Sequence, residues 1–354
     1  MAISKRPTIA AVARAAGVSV ATVDRVINGR LPVNEATARR VYEAAREINY
    51  HASGLIRRRI EPAAPPRTLA FLLTKSSQHF YRTLAQALNE ATRGAVEIRG
   101  TPMVEYSENT TPQETAEIIR RLGSKADAVA IVAADHPAVN AAVGELKAGG
   151  VPVFALLSDL STQLRAGYIG IDNRKAGRTA AWAIASMVKS AGQVALFLGS
   201  HRYLGHELRE IGFRSYFREH ESKCELLDSQ VNLDDANIAY EATLELIHCQ
   251  ANLVGIAVVG GGMEGVIRAL REEKIGDRLA VICNEVTPES RAALAEQIVS
   301  MVISTPIRLL ARTAVAHMAR ALDPAAADPV DRTFVPFDLV VPENVEDEET
   351  STVA

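Results

Sequence analysis

Arg25 is the side chain in this sequence best placed to read a polyanion. It lies in the run Thr8-Ile-Ala-Ala-Val-Ala-Arg-Ala-Ala-Gly-Val-Ser-Val-Ala-Thr-Val-Asp-Arg-Val-Ile-Asn28. Thr8 can cap a first helix whose apolar face holds Ile9, Val12 and Ala13. Gly17 can take the left-handed conformation that a tight inter-helix turn needs, and Val18 can plug the small core. Ser19 can then cap a second helix through its side-chain oxygen. Val23, Val26 and Ile27 would face inward on that helix. Val20, Ala21, Asp24 and Arg25 would project outward, as a helix in a DNA major groove requires. A third helix from about Asn34 would turn Ala38, Val41, Ala45 and Ile48 inward and Arg39, Arg40 and Arg46 outward.

Other chemistry is sparse. Cys224, Cys249 and Cys283 are widely spaced and odd in number, which argues against a disulfide framework or a Cys-x-x-Cys metal site. No Ser-His-Asp or metal constellation stands out, and no cofactor is expected. Gly260-Gly-Gly-Met-Glu-Gly265 satisfies G-x-G-x-x-G after an apolar run, with Glu285 twenty residues beyond, which meets the dinucleotide fingerprint. Its place deep in the chain argues against that function.

The elements that would carry these residues follow from the wider pattern. The 354 residues suggest two or three structural units. Apolar residues make up 48% and charged residues 23%, so the chain is expected to be globular. Aromatics are only 5%, so core burial rests on Ala, Val, Ile and Leu. No 18-residue apolar run suggests a membrane span, and Met-Ala-Ile-Ser-Lys-Arg-Pro lacks an apolar signal core. A cytoplasmic protein is therefore expected. The net charge of -3 divides unevenly, with +6 on residues 1–62 and -9 on the rest. A small basic head on an acidic body is an arrangement suited to binding a polyanion.

Glu61-Pro-Ala-Ala-Pro-Pro-Arg67 breaks the chain as a linker. After it, strand-length apolar runs begin at Leu69, Ala128, Val153, Tyr168, Val194, Leu253, Ala280 and Met301. Amphipathic stretches such as His79–Arg93, Arg174–Lys189, Gly205–His220, Ala236–His248 and Pro306–Leu322 lie between them. This alternation predicts parallel sheets, and its length predicts two lobes. The expected fold class is an N-terminal all-α helix-turn-helix head followed by a C-terminal α/β body of two parallel-sheet lobes. The head is set at 1–50, the hinge segment and linker at 51–67, and the body at 68–341. Lobe 1 takes about 68–158 plus 299–324, and lobe 2 about 159–298 plus 325–341. The tail, 342–354, carries five acidic residues and no basic one, and is expected to be solvated and disordered.

The string Gly17-Val-Ser-Val-Ala-Thr-Val-Asp-Arg-Val-Ile-Asn-Gly29, followed by Val33, Thr37, Val41 and Asn49-Tyr50, resembles the LacI/GalR family of bacterial transcriptional regulators. The resemblance covers nearly the whole chain. It implies that two heads of a homodimer read a pseudo-palindromic operator. Val20 and Ala21 would occupy the specificity-setting pair, and Arg25 would contact a base edge, with guanine O6/N7 suited to its fork. Ser19, Thr22 and Asn28 fall where phosphate-positioning hydrogen bonds are expected. Asp24 departs from the usual Ser; a carboxylate there is costly unless it orients Arg25 or accepts from a cytosine amine. The hinge also departs from the family pattern. An ungapped comparison puts Arg59 where relatives carry the leucine that wedges into the minor groove. Leu55 or Ile60 could take that role, and Arg58 and Arg59 suit a narrow, electronegative groove.

The body resembles the two-lobed, periplasmic-binding-protein-like fold (type I) of that family. Ligands of open α/β sheets bind beyond the carboxyl ends of strands, which selects the loops to inspect. By resemblance Gln78, Phe80 and Tyr81 occupy the place of an amide and aromatics that grip a sugar ring, although Phe80 and Tyr81 could equally serve the core. Asp135 follows the run that begins at Ala128, and Asp159 the run that begins at Val153, with Arg165 close behind. Asp172-Asn173 and Arg174-Lys-Ala-Gly-Arg178 match a family marker whose role is read as capping and architecture. Arg209, in an Arg…Gly-Phe pattern, is the first choice for a ligand contact, because a guanidinium offers paired hydrogen bonds to vicinal hydroxyls or a carboxylate. Asn284 and Glu285 can accept hydroxyl protons. Many relatives place an Asn-Asp pair in the loop that here carries the glycines, so that side of the pocket is expected to lack a carboxylate. The inventory fits a sugar, polyol or sugar acid.

The expected function is a DNA-binding transcriptional regulator, a repressor controlled by such an effector. An inducer is expected, and a corepressor satisfies the sequence equally. The alternatives are a ligand-independent DNA-binding protein, a nucleotide-binding α/β enzyme with an accessory head, and a transport binding protein, the last opposed by the N-terminal head.

Overall fold

The computed structural model describes residues 7–28, 33–48, 50–53, 56, 64–109, 111–220, 222–326 and 331–345. The chain divides into two compact units, Met1–Pro65 and Pro66–Ala354.

The first unit is helical among its described residues. Helix α1 (Ile9–Ala16) starts at Thr8, whose side chain accepts from the Ala11 amide, and ends at Gly17, which takes φ 65° and ψ 36°. Helix α2 (Val20–Asn28) follows at once, and α3 (Glu35–Glu47) is capped by Asn34. Their apolar stripes meet in a core of Val12, Ala13, Val23, Val26, Ala38, Val41 and Ala45. Tyr50, Ala52 and Ile56 complete it. Ala52 and Ile56 fall in the segment assigned to the hinge by sequence; apolar burial draws them into the head instead.

The second unit holds two sheets. The first has the order β12-β5-β4-β3-β1-β2, all pairs parallel: β1 (Pro66–Thr74), β2 (Arg99–Ser107), β3 (Ala128–Ile131), β4 (Val153–Leu156), β5 (Gly167–Gly170) and β12 (Arg332–Phe334). The second has the order β13-β11-β10-β9-β6-β7, with β8 (Gln230–Val231) also paired to β6. Its strands are β6 (Gly192–Leu198), β7 (Cys224–Leu226), β9 (Leu253–Val258), β10 (Ala280–Asn284), β11 (Met301–Ser304) and β13 (Asp338–Val340). Among the described strands, only β13 runs antiparallel. Leu69 to Leu73 are buried in succession because helices cover both faces of a parallel sheet. Those helices are α4 (His79–Gly94), α5 (Pro112–Gly123), α6 (Pro137–Ala148) and α12 (Ile307–Ala321) around the first sheet. Around the second are α7 (Asn173–Met187), α8 (Leu204–Glu219), α9 (Ala236–Cys249), α10 (Met263–Glu273) and α11 (Pro288–Ala295).

The lobe boundaries differ from those drawn on the sequence. Strand β5 joins the first sheet, so the chain leaves lobe 1 after Gly170 rather than at 158. Strand β11 belongs to the second sheet and α12 packs on α4, so the return falls between Ser304 and Ile307 rather than at 299. Strand β12 closes the first sheet before β13 crosses back to the second. Hydrogen-bond pairing decides each case, and a strand's own residues do not announce its neighbour.

Cys283 is buried in β10, and burial pushes its thiol pKa up to about 12, whereas Cys249 is exposed. Iodoacetamide at pH 8 is therefore expected to label Cys249 and spare Cys283 in the folded protein. Peptide mass spectrometry with and without denaturant checks this.

Candidate functional site

The outer face of α2 carries Val20, Ala21 and Arg25 exposed to solvent. Ser19 Oγ accepts from the Thr22 amide at 3.1 Å and lies 2.8 Å from Thr22 Oγ1, so the cap fixes both hydroxyls at the helix start. Asn28 Nδ2 donates to Asp24 Oδ1 at 2.6 Å. The unusual carboxylate is thus held by Asn28, one turn further along, rather than by Arg25. Leu55, Arg58 and Arg59 lie outside the described residues.

In the second unit, the carboxyl ends of strands from both sheets wall one cavity. Lobe 1 supplies Gln78, Phe80 and Tyr81 at the start of α4, with Val132, Leu157 and Ser158. Lobe 2 supplies Asn173, Tyr203, His206 and Arg209 from α7, α8 and the loop after β6. Asp234, Glu264, Asn284, Glu285 and Thr287 complete the wall. The cavity measures about 100 Å³; one water needs about 10–15 Å³ by this measure, so the space suits a ligand the size of a monosaccharide.

Arg209 is the fixed point. Its Nε donates to Asn173 Oδ1 at 2.8 Å and its Nη1 to the Val259 carbonyl at 2.9 Å. Asn173 is itself held by donating Nδ2 to the Leu157 carbonyl and Tyr168 Oη. Two glycines make this possible: a Cβ on Gly177 would strike the Arg209 backbone, and one on Gly212 the Arg174 backbone. Helices α7 and α8 therefore cross with backbones in contact, and Asp172 caps α7 by accepting from Lys175 N. These contacts give the Arg174–Arg178 string an architectural part.

Burial controls the ionisation of the wall. It lowers the pKa of the Arg209 guanidinium, against the pull of Glu285. It raises Glu285, opposed by Arg209 and by Thr305, whose amide and hydroxyl donate to that carboxylate at 2.8 and 2.7 Å. Burial also raises Glu264 and Tyr203, lowers His206, and pushes Tyr81 up to about 12. Phe80 and Tyr81 meet edge to face at 5.2 Å; both line the cavity and pack against the core.

The lobes also touch directly. Lys75 Nζ donates to the carbonyls of Leu233 and Asp234 at 2.7 and 3.1 Å, and Gln78 Nε2 donates to the latter at 3.2 Å. Gly205 N donates to Ser158 Oγ at 3.1 Å.

Gln78, Phe80, Tyr81, Arg209, Asn284 and Glu285 come together at the cavity; Asp135 and Asp159 do not. Asp135 Oδ1 accepts from Asn140 Nδ2 and from the amide and hydroxyl of Ser161. Asp159 is clamped by Arg165 and Arg332. The glycine loop does not leave its side without a carboxylate: Glu264 lies there, and Asp234 packs against it, accepting from Gly261 N at 2.6 Å. A Cβ on Gly261 would strike Asp234, and one on Gly265 the Ala236 backbone, so packing needs both glycines. Tyr203 and His206 follow β6 and were reachable by the strand-end rule. Asp234 follows the two-residue β8, which leaves no periodicity to read.

Residues 8–53 match the lacI family of bacterial regulatory proteins, and residues 69–326 match the periplasmic binding protein domain family. The body belongs to the periplasmic binding protein domain family, and the head matches the lacI family. Over 221 residues the chain is 27% identical to the HTH-type transcriptional regulator DegA of Bacillus subtilis (strain 168), covering 60% of this chain and 61% of that one. The chain thus spans about three-fifths of the length of that relative. Among solved structures, an ABC transporter solute-binding protein from Burkholderia graminis C4D1M in complex with D-arabinose is similar, with a TM-score of 0.72 and 19% identity over 80% of this chain and 98% of that one. One from Actinobacillus succinogenes 130z with bound D-allose has a TM-score of 0.71 and 18% identity over 79% and 99%. These are likenesses of fold. Among the described residues, no helix is long and apolar enough to cross a membrane.

Proposed function

We propose that this protein is a cytoplasmic transcriptional repressor that binds a pseudo-palindromic operator as a homodimer and releases it when a small sugar, polyol or sugar acid fills the cleft of the body. The observation that carries this reading is the cavity itself. Loops from the carboxyl ends of both sheets bring aromatic rings, amides, carboxylates and a fixed guanidinium around a monosaccharide-sized space. The sugars held by solute-binding proteins of the same fold support that size. A ligand touching both walls favours the lobe arrangement that brings them together, and its leverage equals its difference in affinity for the two arrangements. The head supplies a capped helix with Val20, Ala21 and Arg25 free to enter a major groove.

A thermal-shift screen of sugars, polyols and sugar acids, followed by gel shifts on the protein's own promoter region, tests the proposal. A stabilising ligand that alters operator binding is the expected result. Stabilisation with unchanged DNA binding would defeat the coupling. Replacing Arg25 with Ala is expected to weaken specific binding by about 1–3 kcal/mol while leaving ligand stabilisation intact.

A further inference from the structure

We propose that Asp24 reads a base, and fixes one position of each operator half-site as cytosine. This deepens the reading of α2 as the helix that enters the major groove, and rests on it.

Helix α2 buries Val23 and Val26 and turns Ala21, Arg25 and Asn28 to solvent, with Asp24 half-buried beside them. A carboxylate here runs against its surroundings. Residues 1–62 carry a charge of +6, and a helix in the groove lies between two rows of phosphates. Two arrangements would offset that cost: Asp24 orients Arg25, or it accepts a hydrogen bond from a base. The first is not what the head contains. Among the described residues the Asp24 side chain is engaged by Asn28, whose Nδ2 donates to Oδ1 at 2.6 Å, and not by Arg25. Oδ2 is left to accept. The pair spans one helical turn, so Asn28 holds the carboxylate on the side of α2 that faces outward. A side chain fixed before DNA arrives loses less freedom on binding.

An ionised carboxylate accepts hydrogen bonds and donates none. In the major groove guanine presents N7 and O6, and thymine presents O4, all acceptors that repel it. Donors come from cytosine N4 and adenine N6, and adenine sets its N7 acceptor beside that donor. Cytosine offers its amine with no acceptor alongside on the same base. The order of preference is therefore cytosine, then adenine, with guanine and thymine rejected.

Selection from randomised duplexes with the full-length protein tests this. The parent should enrich cytosine at one fixed position of each half-site. Changing that base pair should weaken binding by about tenfold or more in gel shifts. Asp24→Asn is nearly isosteric and adds a donor beside the acceptor, so it should move the preference at that position to adenine. Asp24→Ala should lose the preference there and keep those at other positions, which reports that the head is still folded. Asn28→Ala should weaken the cytosine preference without moving it to another base. A selected motif that is the same in Asp24→Ala as in the parent overturns the proposal, as does a parent preference for any other base at the position Asp24 controls. A cytosine preference at full strength in Asn28→Ala overturns the positioning role of Asn28. If the parent selects no motif at all, the reading of α2 as a base reader fails and this assignment with it, a result distinct from a motif indifferent to Asp24.

Discussion

Replacing Arg209 with alanine is expected to abolish the response to any ligand of the cleft, with a loss of affinity of about 100-fold or more. A charge-assisted hydrogen bond is worth about 1.5–3 kcal/mol, and a guanidinium can present two to vicinal hydroxyls. The variant also leaves acceptors on Asn173 and Val259 without their donor and removes the cation facing Glu285. Breaking such a buried arrangement costs about 3–5 kcal/mol, so the body should melt earlier. The pH dependence of that loss is set by Glu285. Its pKa is already raised above the ordinary 4.5 by burial, and removing Arg209 should raise it further. Below pH 4.5 the carboxyl is protonated in both the folded and unfolded chain and imposes no penalty. As pH rises, the unfolded chain ionises first, and stability falls until the folded-state pKa is passed. The deficit relative to the parent should therefore be larger at pH 8 than at pH 5 in thermal melts. Arg209→Lys keeps the charge but loses the planar fork, so it should recover more stability than ligand affinity. An alanine variant that still binds its ligand would remove Arg209 from the site.

Such a prediction could be framed from sequence because an arginine in an Arg…Gly-Phe pattern is visible there. The head was legible in similar detail. The Thr8 cap, the Gly17 turn and the inward stripe of three helices are local devices, and each depends on residues a few positions apart. Long buried strands such as β1 and β9 also declare themselves as apolar runs. Less visible was β2, where Pro102 and a half-exposed pattern hide the strand, and β12 and β13 span three residues each. The assignment of strands to lobes was illegible for a physical reason: β5 and β6 are both apolar, and only long-range hydrogen bonding distinguishes their sheets. The cleft was legible in part. The strand-end rule finds loops, but it does not say which side chain in a loop faces the cavity. That gap separates Ser158 from Asp159, neighbours after β4: the first lines the cavity and the second is clamped by Arg165 and Arg332.

Asp159 allows the two uses to be separated by experiment. Its side chain is 6% exposed and that of Arg165 is 2% exposed. Arg165 grips it through Nε at 2.5 Å and Nη2 at 3.0 Å, and Arg332 adds Nε at 2.9 Å. The Leu160 amide donates to it as well. Arg165 also reaches Asp331, beside β12, so the cluster ties the β4–β5 loop to the strand that returns last to the first sheet. Asp159→Ala should therefore cost about 3–5 kcal/mol, since it leaves Arg165 buried with only the exposed Asp331 as partner. The melting temperature should fall by roughly 5–10 °C. Ligand affinity, measured well below the melt, should change by no more than about twofold, because Asp159 does not line the cavity. Replacing both partners, as Asp159→Ala with Arg165→Met, should restore part of the stability, since the uncompensated charge goes with the arginine; a double-mutant cycle measures the coupling. Loss of ligand binding at undiminished stability in Asp159→Ala would return Asp159 to the ligand site, where its position after a strand first suggested it belonged.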